Sequence, residues 1–268
     1  MAKIKEVNYR EILESRHYKL DYTPPQEEVF LRIRGETVGT AGNFVILSGL
    51  PKAGKSTYLH AMISSYFSRG QMLYNISMTS SHSRPSIAYF DTESAEYDFY
   101  QNLRRIKSLC GIYELPVTFS AFTTRQDNAD MNKRLIEEYI KIKTSSVIIV
   151  DGMLDLIQNY NDENESRELI DWLKLITAKY SVLIIGVIHT GKKDNHTLGH
   201  FGSMADRYAQ SVLEVVKDKS NNTLVLSAKY LRSAPEFEPI SIMWQGSGYV
   251  EVSWQPPSEN APTKSRRR

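Results

Sequence analysis

The 268-residue chain contains a single cysteine, so no disulfide can form within it, and this usage is typical of a reducing compartment. It also lacks an apolar run of about 20 residues, the length that a membrane-spanning helix needs. Its first ten residues, MAKIKEVNYR, have no apolar core of the kind found in secretion signals. The formal net charge is only +2, so any nucleic-acid surface must be a local patch. These absences predict a cytoplasmic protein with no membrane partner.

The most informative stretch is residues 49–57, Gly-Leu-Pro-Lys-Ala-Gly-Lys-Ser-Thr, which matches the phosphate-loop pattern G-x-x-x-x-G-K-[ST]. An apolar run at residues 44–47 precedes it and predicts a buried strand. Apolar residues with helical spacing follow it, so the motif has the strand–loop–helix context that a phosphate site needs. We therefore predict an ATP-binding site. Its nucleotide-binding residues are Gly49, Pro51, Lys52, Ala53, Gly54, Lys55, Ser56 and Thr57.

Two residue types in this pattern predict the chemistry of the bound group. Lys55 is expected to reach the β- and γ-phosphates, and Ser56 to bind Mg²⁺ through its hydroxyl. A second magnesium ligand is expected at Asp151, which closes the apolar run at residues 147–150. Carboxylates at the carboxyl ends of buried parallel strands lie where α/β proteins bind their ligands. The alternative for Asp151 is an ordinary strand-end aspartate that caps a turn.

The pattern of apolar segments predicts an α/β fold, with a mostly parallel central sheet flanked by helices and antiparallel hairpins near the C-terminus. Residues 1–40 are expected to form an N-terminal packing segment with short helices at 9–18 and 27–33. Residues 41–254 are expected to form the core domain that contains the phosphate loop. Residues 255–268, rich in Pro and Ser and ending in three arginines, are predicted to be a disordered basic tail.

Three further segments complete the expected layout. Residues 71–85, rich in Ser and Thr, predict an extended loop or a flexible insert. Residues 203–206, Ser-Met-Ala-Asp, resemble the start of a helix with a capping box. The segments at 212–228 and 240–254 each predict an antiparallel hairpin.

The chain's strand-end residues also carry a family resemblance. The order of the phosphate loop, residues 91–93 (Asp-Thr-Glu), Asp151 and His189 resembles that of the RecA-like P-loop ATPases, and most of all the RepA-type hexameric helicases of plasmids and mobile elements. The resemblance covers about residues 25–250. It implies a RecA-like core, ATP hydrolysis with Mg²⁺ and a homo-oligomer, with a hexamer favoured. It also implies single-stranded DNA and replication or mobilisation proteins as partners.

The resemblance assigns catalytic roles residue by residue. Glu93 would be the glutamate that polarises the attacking water, although a surface carboxylate at a helix start is the alternative. His189 would sense the γ-phosphate, or else be an ordinary strand-end histidine. Lys229 and Arg232 resemble a pair of cationic fingers that enter a neighbour's nucleotide site. Two residues separate them here, whereas the family has one, and a solvated basic hairpin end is the alternative.

Nucleic-acid contact is the least specific of these expectations. Lys192 and Lys193, in the loop at residues 191–202, are candidates for phosphate contacts with single-stranded DNA, but a solvated loop explains them too. The loop at residues 159–165 is acidic, which argues against DNA binding there. Two functions therefore stay open: a ring-forming DNA helicase or DNA-remodelling ATPase, and a nucleotide-switch loader or regulatory ATPase that recruits a protein partner without unwinding DNA. A small-molecule kinase ranks lower, because no arginine-rich lid follows the core.

Overall fold

A computed structural model describes residues 8–68, 72–191 and 199–253. The strands are β1 (Val29–Ile33), β2 (Glu36–Thr40), β3 (Phe44–Gly49), β4 (Ile76–Met78), β5 (Ser86–Asp91), β6 (Phe119–Thr123), β7 (Ser145–Asp151), β8 (Leu183–His189), β9 (Ser211–Asp218), β10 (Thr223–Leu231), β11 (Ile240–Trp244) and β12 (Tyr249–Val252). The α-helices are α1 (Tyr9–Arg16), α2 (Lys55–Phe67), α3 (Glu96–Cys110), α4 (Ala129–Lys143), α5 (Glu163–Tyr180) and α6 (Gly199–Tyr208). A short 3-10 helix (Met153–Leu156) follows β7.

The central sheet has nine strands in the order β12-β11-β10-β9-β3-β8-β7-β5-β6. The strands from β9 to β6 in this order run parallel, and β10, β11 and β12 continue the sheet with antiparallel pairing. The predicted α/β fold with C-terminal antiparallel hairpins is therefore confirmed. Because β3 lies between β8 and β9, the ends of several parallel strands surround the phosphate loop that follows β3.

Helices cover both faces of this sheet, which explains why its central strands are apolar on both sides. Val45 and Leu47 of β3 belong to one buried cluster, together with α2 and part of α3. Phe44 and Ile46 belong to a second cluster with α4, α5 and α6. The alternation follows from the two-residue period of a strand, which sends successive side chains to opposite faces. The sheet is thus fixed from both sides.

A second, three-stranded sheet with the order β2-β1-β4 corrects two predictions. The helix predicted at residues 27–33 is wrong, because Val29–Ile33 is a strand whose apolar side chains enter the first core cluster. Arg34 and Gly35, with φ of 50° and 85°, form the tight turn that pairs β1 with β2. The segment at 71–85 is more ordered than predicted, because its residues Ile76–Met78 pair with β1.

Other boundaries also differ from the predictions. The helix expected to start at Ser203 begins at Gly199, so Ser203 lies within α6 and caps nothing. Strand β10 continues to Leu231, which places Lys229 inside the strand. The predicted tail lies outside the described residues. In the part of the chain that the structure describes, no helix is long and apolar enough to cross a membrane.

Within the N-terminal segment, strand β1 should contribute much more to stability than helix α1. Phe30 is 2% exposed, and its replacement by alanine should lower the free energy of unfolding by about 3–5 kcal/mol. Leu13 is 71% exposed on α1, a helix with no buried residue, so Leu13→Ala should change it by less than about 0.5 kcal/mol. Urea unfolding of both variants measures the difference. Equal effects would show that β1 lies outside the cooperative core.

Candidate nucleotide-binding site

The phosphate loop connects the end of β3 to the start of α2, and its glycines are required by close packing. A β-carbon at Gly49 would lie 2.4 Å from the carbonyl oxygen of Val215, and one at Gly54 would lie 2.5 Å from the side chain of Leu224. Gly54 has a φ of 98°, a conformation that favours glycine. The backbone can therefore turn over the end of the sheet and present the free N–H groups at the start of α2 to an anion.

Lys55 is the first residue of α2, and it is buried. Its ammonium group contacts three acceptors. Its Nζ donates to the carbonyl oxygens of Gly49 and Leu50, both at 3.0 Å, and lies 2.9 Å from Nδ1 of His189. Burial lowers the pKa of Lys55, while Glu93 and Asp151 raise it. Because an ammonium group only donates, Nδ1 of His189 must accept, and the ring proton of the neutral imidazole is then on Nε2.

The proton on Nε2 of His189 points to Glu93, the predicted catalytic glutamate. Nε2 of His189 lies 3.4 Å from both carboxylate oxygens of Glu93, which comes just after β5 and is 48% exposed. The hydrogen bond from His189 lowers the pKa of Glu93, and burial opposes this effect only in part. Glu93 is therefore an ionised carboxylate that water can reach. The structure thus brings together Lys55, His189 and Glu93, three residues that the sequence analysis placed in one site.

A pair of aspartates lies beside them. Asp91 ends β5 and is the register partner of Asp151, which ends β7. The hydroxyl of Tyr89 donates to Asp151 at 3.1 Å and also lies 3.3 Å from Asp91. Burial, reinforced by the charge of Asp91, raises the pKa of Asp151 to about 7. The site therefore holds more negative carboxylates than Lys55 can balance, in a position partly shielded from water.

These residues fit a magnesium–phosphate group. Mg²⁺ is usually bound through one or two carboxylates together with phosphate oxygens and water. Among the described residues, no group of three or more His, Cys, Asp or Glu side chains is arranged to hold a metal by itself. Asp151 and the exposed hydroxyl of Ser56 are the two side chains that would hold Mg²⁺, and the phosphates would complete its coordination.

The turn that carries Glu93 is fixed by a contact that no sequence pattern predicts. The hydroxyl of Thr92 donates to Asp155 at 2.6 Å and lies 3.1 Å from the carbonyl oxygen of Asp151. Gly152, with a φ of 103°, has no room for a side chain, because a β-carbon there would lie 2.1 Å from the hydroxyl oxygen of Thr92. No local pattern links residues 92 and 155, which meet only because β5 and β7 are neighbours.

Of the two proposed finger residues, Lys229 lies level with the middle of β3, and Arg232 lies at the end of the sheet opposite the phosphate loop. Lys229 donates to Asp206 of its own chain at 2.8 Å. The N–H of Arg232 donates to the carbonyl oxygen of Gln210, whose own N–H donates to that of Phe44 at the start of β3. Since β3 spans six residues, Arg232 lies roughly 16 Å along the strand direction from the phosphate loop of its own chain. Lys192 and Lys193 lie outside the described residues.

The phosphate loop, the parallel strand order and the strand-end carboxylates together define a P-loop ATPase with a RecA-like fold. The chain belongs to the AAA domain family, whose model matches residues 23–195, more than half of the chain. It is also similar to the crystal structure of a KaiC-like protein from the hyperthermophilic archaeon Pyrococcus horikoshii. That similarity has a TM-score of 0.54 at 16% identity and covers 80% of this chain and 91% of the other. At this identity it concerns the fold alone. No curated protein matches the sequence.

The raised pKa of Asp151 predicts a pH-dependent effect of Asp151→Asn. Asp151 titrates near 3.8 in the unfolded chain and near 7 in the folded one, so its contribution to stability is complete below about pH 4 and is lost as the pH rises through about 7. Without nucleotide, the asparagine variant should therefore be more stable than the wild type by about 1–3 kcal/mol at pH 8 and little different at pH 4. Urea unfolding across this range measures the difference. A gap that widens towards low pH would contradict this assignment.

Proposed function

We propose that the protein hydrolyses ATP with Mg²⁺, and that Glu93 is the general base that activates the attacking water. The observation that supports this most is the contact chain from Lys55 through His189 to Glu93 at adjacent strand ends. A γ-phosphate held by Lys55 would lie beside an ionised carboxylate, the arrangement that in-line attack by water requires. Bound Mg²⁺ would supply charge neutralisation at the phosphates.

Each side chain then has one task in the proposed reaction. Lys55 exchanges its carbonyl acceptors for phosphate oxygens, because a charged acceptor binds an ammonium group more strongly than a neutral one. When Lys55 turns away, Nδ1 of His189 loses its donor, so the histidine can respond to an occupied site. Asp91 holds the turn before Glu93 by accepting the N–H groups of Glu93 at 3.0 Å and of Ser94 at 2.7 Å.

The general-base role predicts that Glu93→Gln binds ATP and fails to hydrolyse it. The amide cannot accept a proton from water, so turnover should fall by about 10²–10⁴-fold while the ATP dissociation constant changes only a few-fold. Phosphate release and equilibrium binding measure the two quantities. Glu96→Gln is the matched control, since Glu96 is an exposed carboxylate in the first turn of α3 and should keep wild-type turnover. Wild-type turnover by Glu93→Gln would remove Glu93 from catalysis.

We also propose that the active form is a homo-oligomer in which Arg232 acts on a neighbour's site. Arg232 is exposed and too distant from its own phosphate loop, so a role in catalysis requires a second subunit. Lys229 is paired with Asp206, which makes Arg232 the better candidate of the two. The resemblance to RepA-type helicases favours a hexamer.

Mixing two inactive variants tests this arrangement. Arg232→Ala has an intact phosphate loop, and Lys55→Ala has an intact Arg232. Mixed assemblies should regain part of the wild-type ATPase rate, because some interfaces then combine the two intact halves. Each variant is its own control when assayed alone at the same total concentration. No recovery in mixtures that are shown to co-assemble would contradict action in trans.

For the biological role, we propose a DNA helicase or DNA-remodelling ATPase in the replication or mobilisation of a genetic element. Lys192 and Lys193 closely follow His189 and Thr190 in the sequence, and the N–H of Thr190 donates to the carbonyl oxygen of Gly49. A change at the γ-phosphate would therefore reach the residues that follow β8. This connection supports coupling between ATP and a single-stranded DNA bound by Lys192 and Lys193.

A nucleotide-switch ATPase that recruits a protein is the second candidate. Tyr97 and Tyr100 are 70% and 54% exposed on α3. Because α3 begins just after the turn with Glu93, a partner that binds these two tyrosines would contact an element that borders the nucleotide site. ATP hydrolysis with and without a single-stranded oligonucleotide distinguishes the two roles. If the protein is a DNA helicase or DNA-remodelling ATPase, the oligonucleotide should stimulate ATP hydrolysis several-fold, and a Lys192→Ala/Lys193→Ala double variant should lose this stimulation. The absence of both stimulation and DNA binding would favour the switch.

A further inference from the structure

Tyr89 is a fully buried tyrosine of β5 whose hydroxyl group lies between the two strand-end aspartates. The residue is 0% exposed, and its ring packs against Phe99 of α3 at 5.6 Å between ring centres. The hydroxyl oxygen lies 3.1 Å from Oδ2 of Asp151 and 3.3 Å from Oδ2 of Asp91. Phenylalanine would pack the core as well as tyrosine, and burying a hydroxyl group costs stability unless it is hydrogen-bonded. The hydroxyl of Tyr89 therefore serves the two carboxylates.

The two aspartates use their oxygens differently. Asp91 is 0% exposed, and its Oδ1 accepts the N–H groups of Glu93 and Ser94 while its Oδ2 contacts Tyr89. Asp151 is only partly buried, and its contact with Tyr89 uses Oδ2 and leaves Oδ1 to another ligand. Asp151 is therefore the carboxylate that a cation can reach, and Asp91 is the one that holds the turn of Glu93.

The geometry of the sheet brings Tyr89 to both carboxylates. Tyr89 and Asp91 are two residues apart on β5, so their side chains lie on the same face of the strand. Asp151 is the register partner of Asp91 on the neighbouring strand β7. Two carboxylates this close repel one another, and a hydroxyl group between them reduces the repulsion. Because the ring of Tyr89 is fixed in the first core cluster, its hydroxyl also restricts how each carboxylate can turn.

We propose that Tyr89 is a positioning residue for the metal site, because it fixes the orientation of Asp151 and so keeps Oδ1 of that carboxylate ready to bind Mg²⁺. The proposal rests on the proposed Mg-ATP binding at this site and adds the residue that sets the affinity for the metal. Hydrogen-bond donors to a metal-binding carboxylate orient it, and their removal typically lowers metal affinity or activity by about 10–100-fold.

Tyr89→Phe tests this role, because it removes the hydroxyl group and keeps the ring in the core. Calorimetry measures the binding of a non-hydrolysable ATP analogue at a series of Mg²⁺ concentrations and in excess EDTA. The Mg²⁺ concentration that gives half of the full effect should rise about tenfold or more in the variant. The affinity in EDTA should stay at the wild-type value, because Lys55 and the phosphate loop are unchanged. A merely structural role predicts the same loss under both conditions.

Tyr139→Phe is the matched control. The hydroxyl of the buried Tyr139 lies 2.8 Å from that of Ser86, at the other end of β5, so this variant also loses one buried hydrogen bond. Its Mg²⁺ dependence should equal that of the wild type. Wild-type Mg²⁺ dependence in Tyr89→Phe, or an equal loss of affinity in Mg²⁺ and in EDTA, would overturn the positioning role and leave nucleotide binding standing. A wild-type protein that binds no analogue, or binds it without regard to Mg²⁺, would overturn the proposed metal site too.

A double variant shows whether Tyr89 acts through Asp151. If it does, removal of the Tyr89 hydroxyl should matter only while the carboxylate of Asp151 is present. Tyr89→Phe added to Asp151→Ala should then change the half-effective Mg²⁺ concentration by less than about twofold, measured in the same titration. A further tenfold loss in the double variant would show that Tyr89 acts independently of Asp151, which contradicts the proposal.

Discussion

The structure depends on one buried ammonium group, that of Lys55. Its three acceptors come from the end of β3, from the phosphate loop and from the end of β8, so a single side chain ties these elements together. All of these acceptors are neutral. These contacts are sufficient to keep the ammonium group buried in the folded protein. An anion would nevertheless bind this group more strongly than its present partners do. The same contacts that order the loop therefore prepare it to receive phosphate.

The charges around this lysine explain the rest of the site. Asp91, Asp151 and Glu93 lie at adjacent strand ends, and the proton of Tyr89 lies between the two aspartates. One lysine cannot balance three carboxylates in a partly buried position. Burial, reinforced by the charge of Asp91, raises the pKa of Asp151 to about 7. A magnesium ion brought in with the phosphates would correct the charge imbalance. Under the proposed function, the arrangement that lowers stability without nucleotide would therefore raise the affinity for Mg-ATP.

Much of this could be predicted from the sequence, because the relevant signals are local. The phosphate loop is contiguous, and apolar runs that end in Asp151 or His189 predict parallel strands with polar residues at one edge of the sheet. The contacts between Thr92 and Asp155 and between Lys229 and Asp206 join distant segments, and only the strand order brings them together. The helix predicted at residues 27–33 is instead strand β1, and the tight turn at Arg34 and Gly35 that pairs β1 with β2 is the local feature that distinguishes the two.

The most direct test of the central claim is calorimetric titration of the wild-type protein and of Lys55→Ala with a non-hydrolysable ATP analogue and Mg²⁺. If Lys55 is the group that exchanges neutral acceptors for phosphate, the wild type should bind one analogue per chain. The variant should then bind at least about a hundredfold more weakly, as expected when a charged hydrogen-bond donor to phosphate is lost. Equal affinity in both proteins, or no binding by the wild type, would contradict the account.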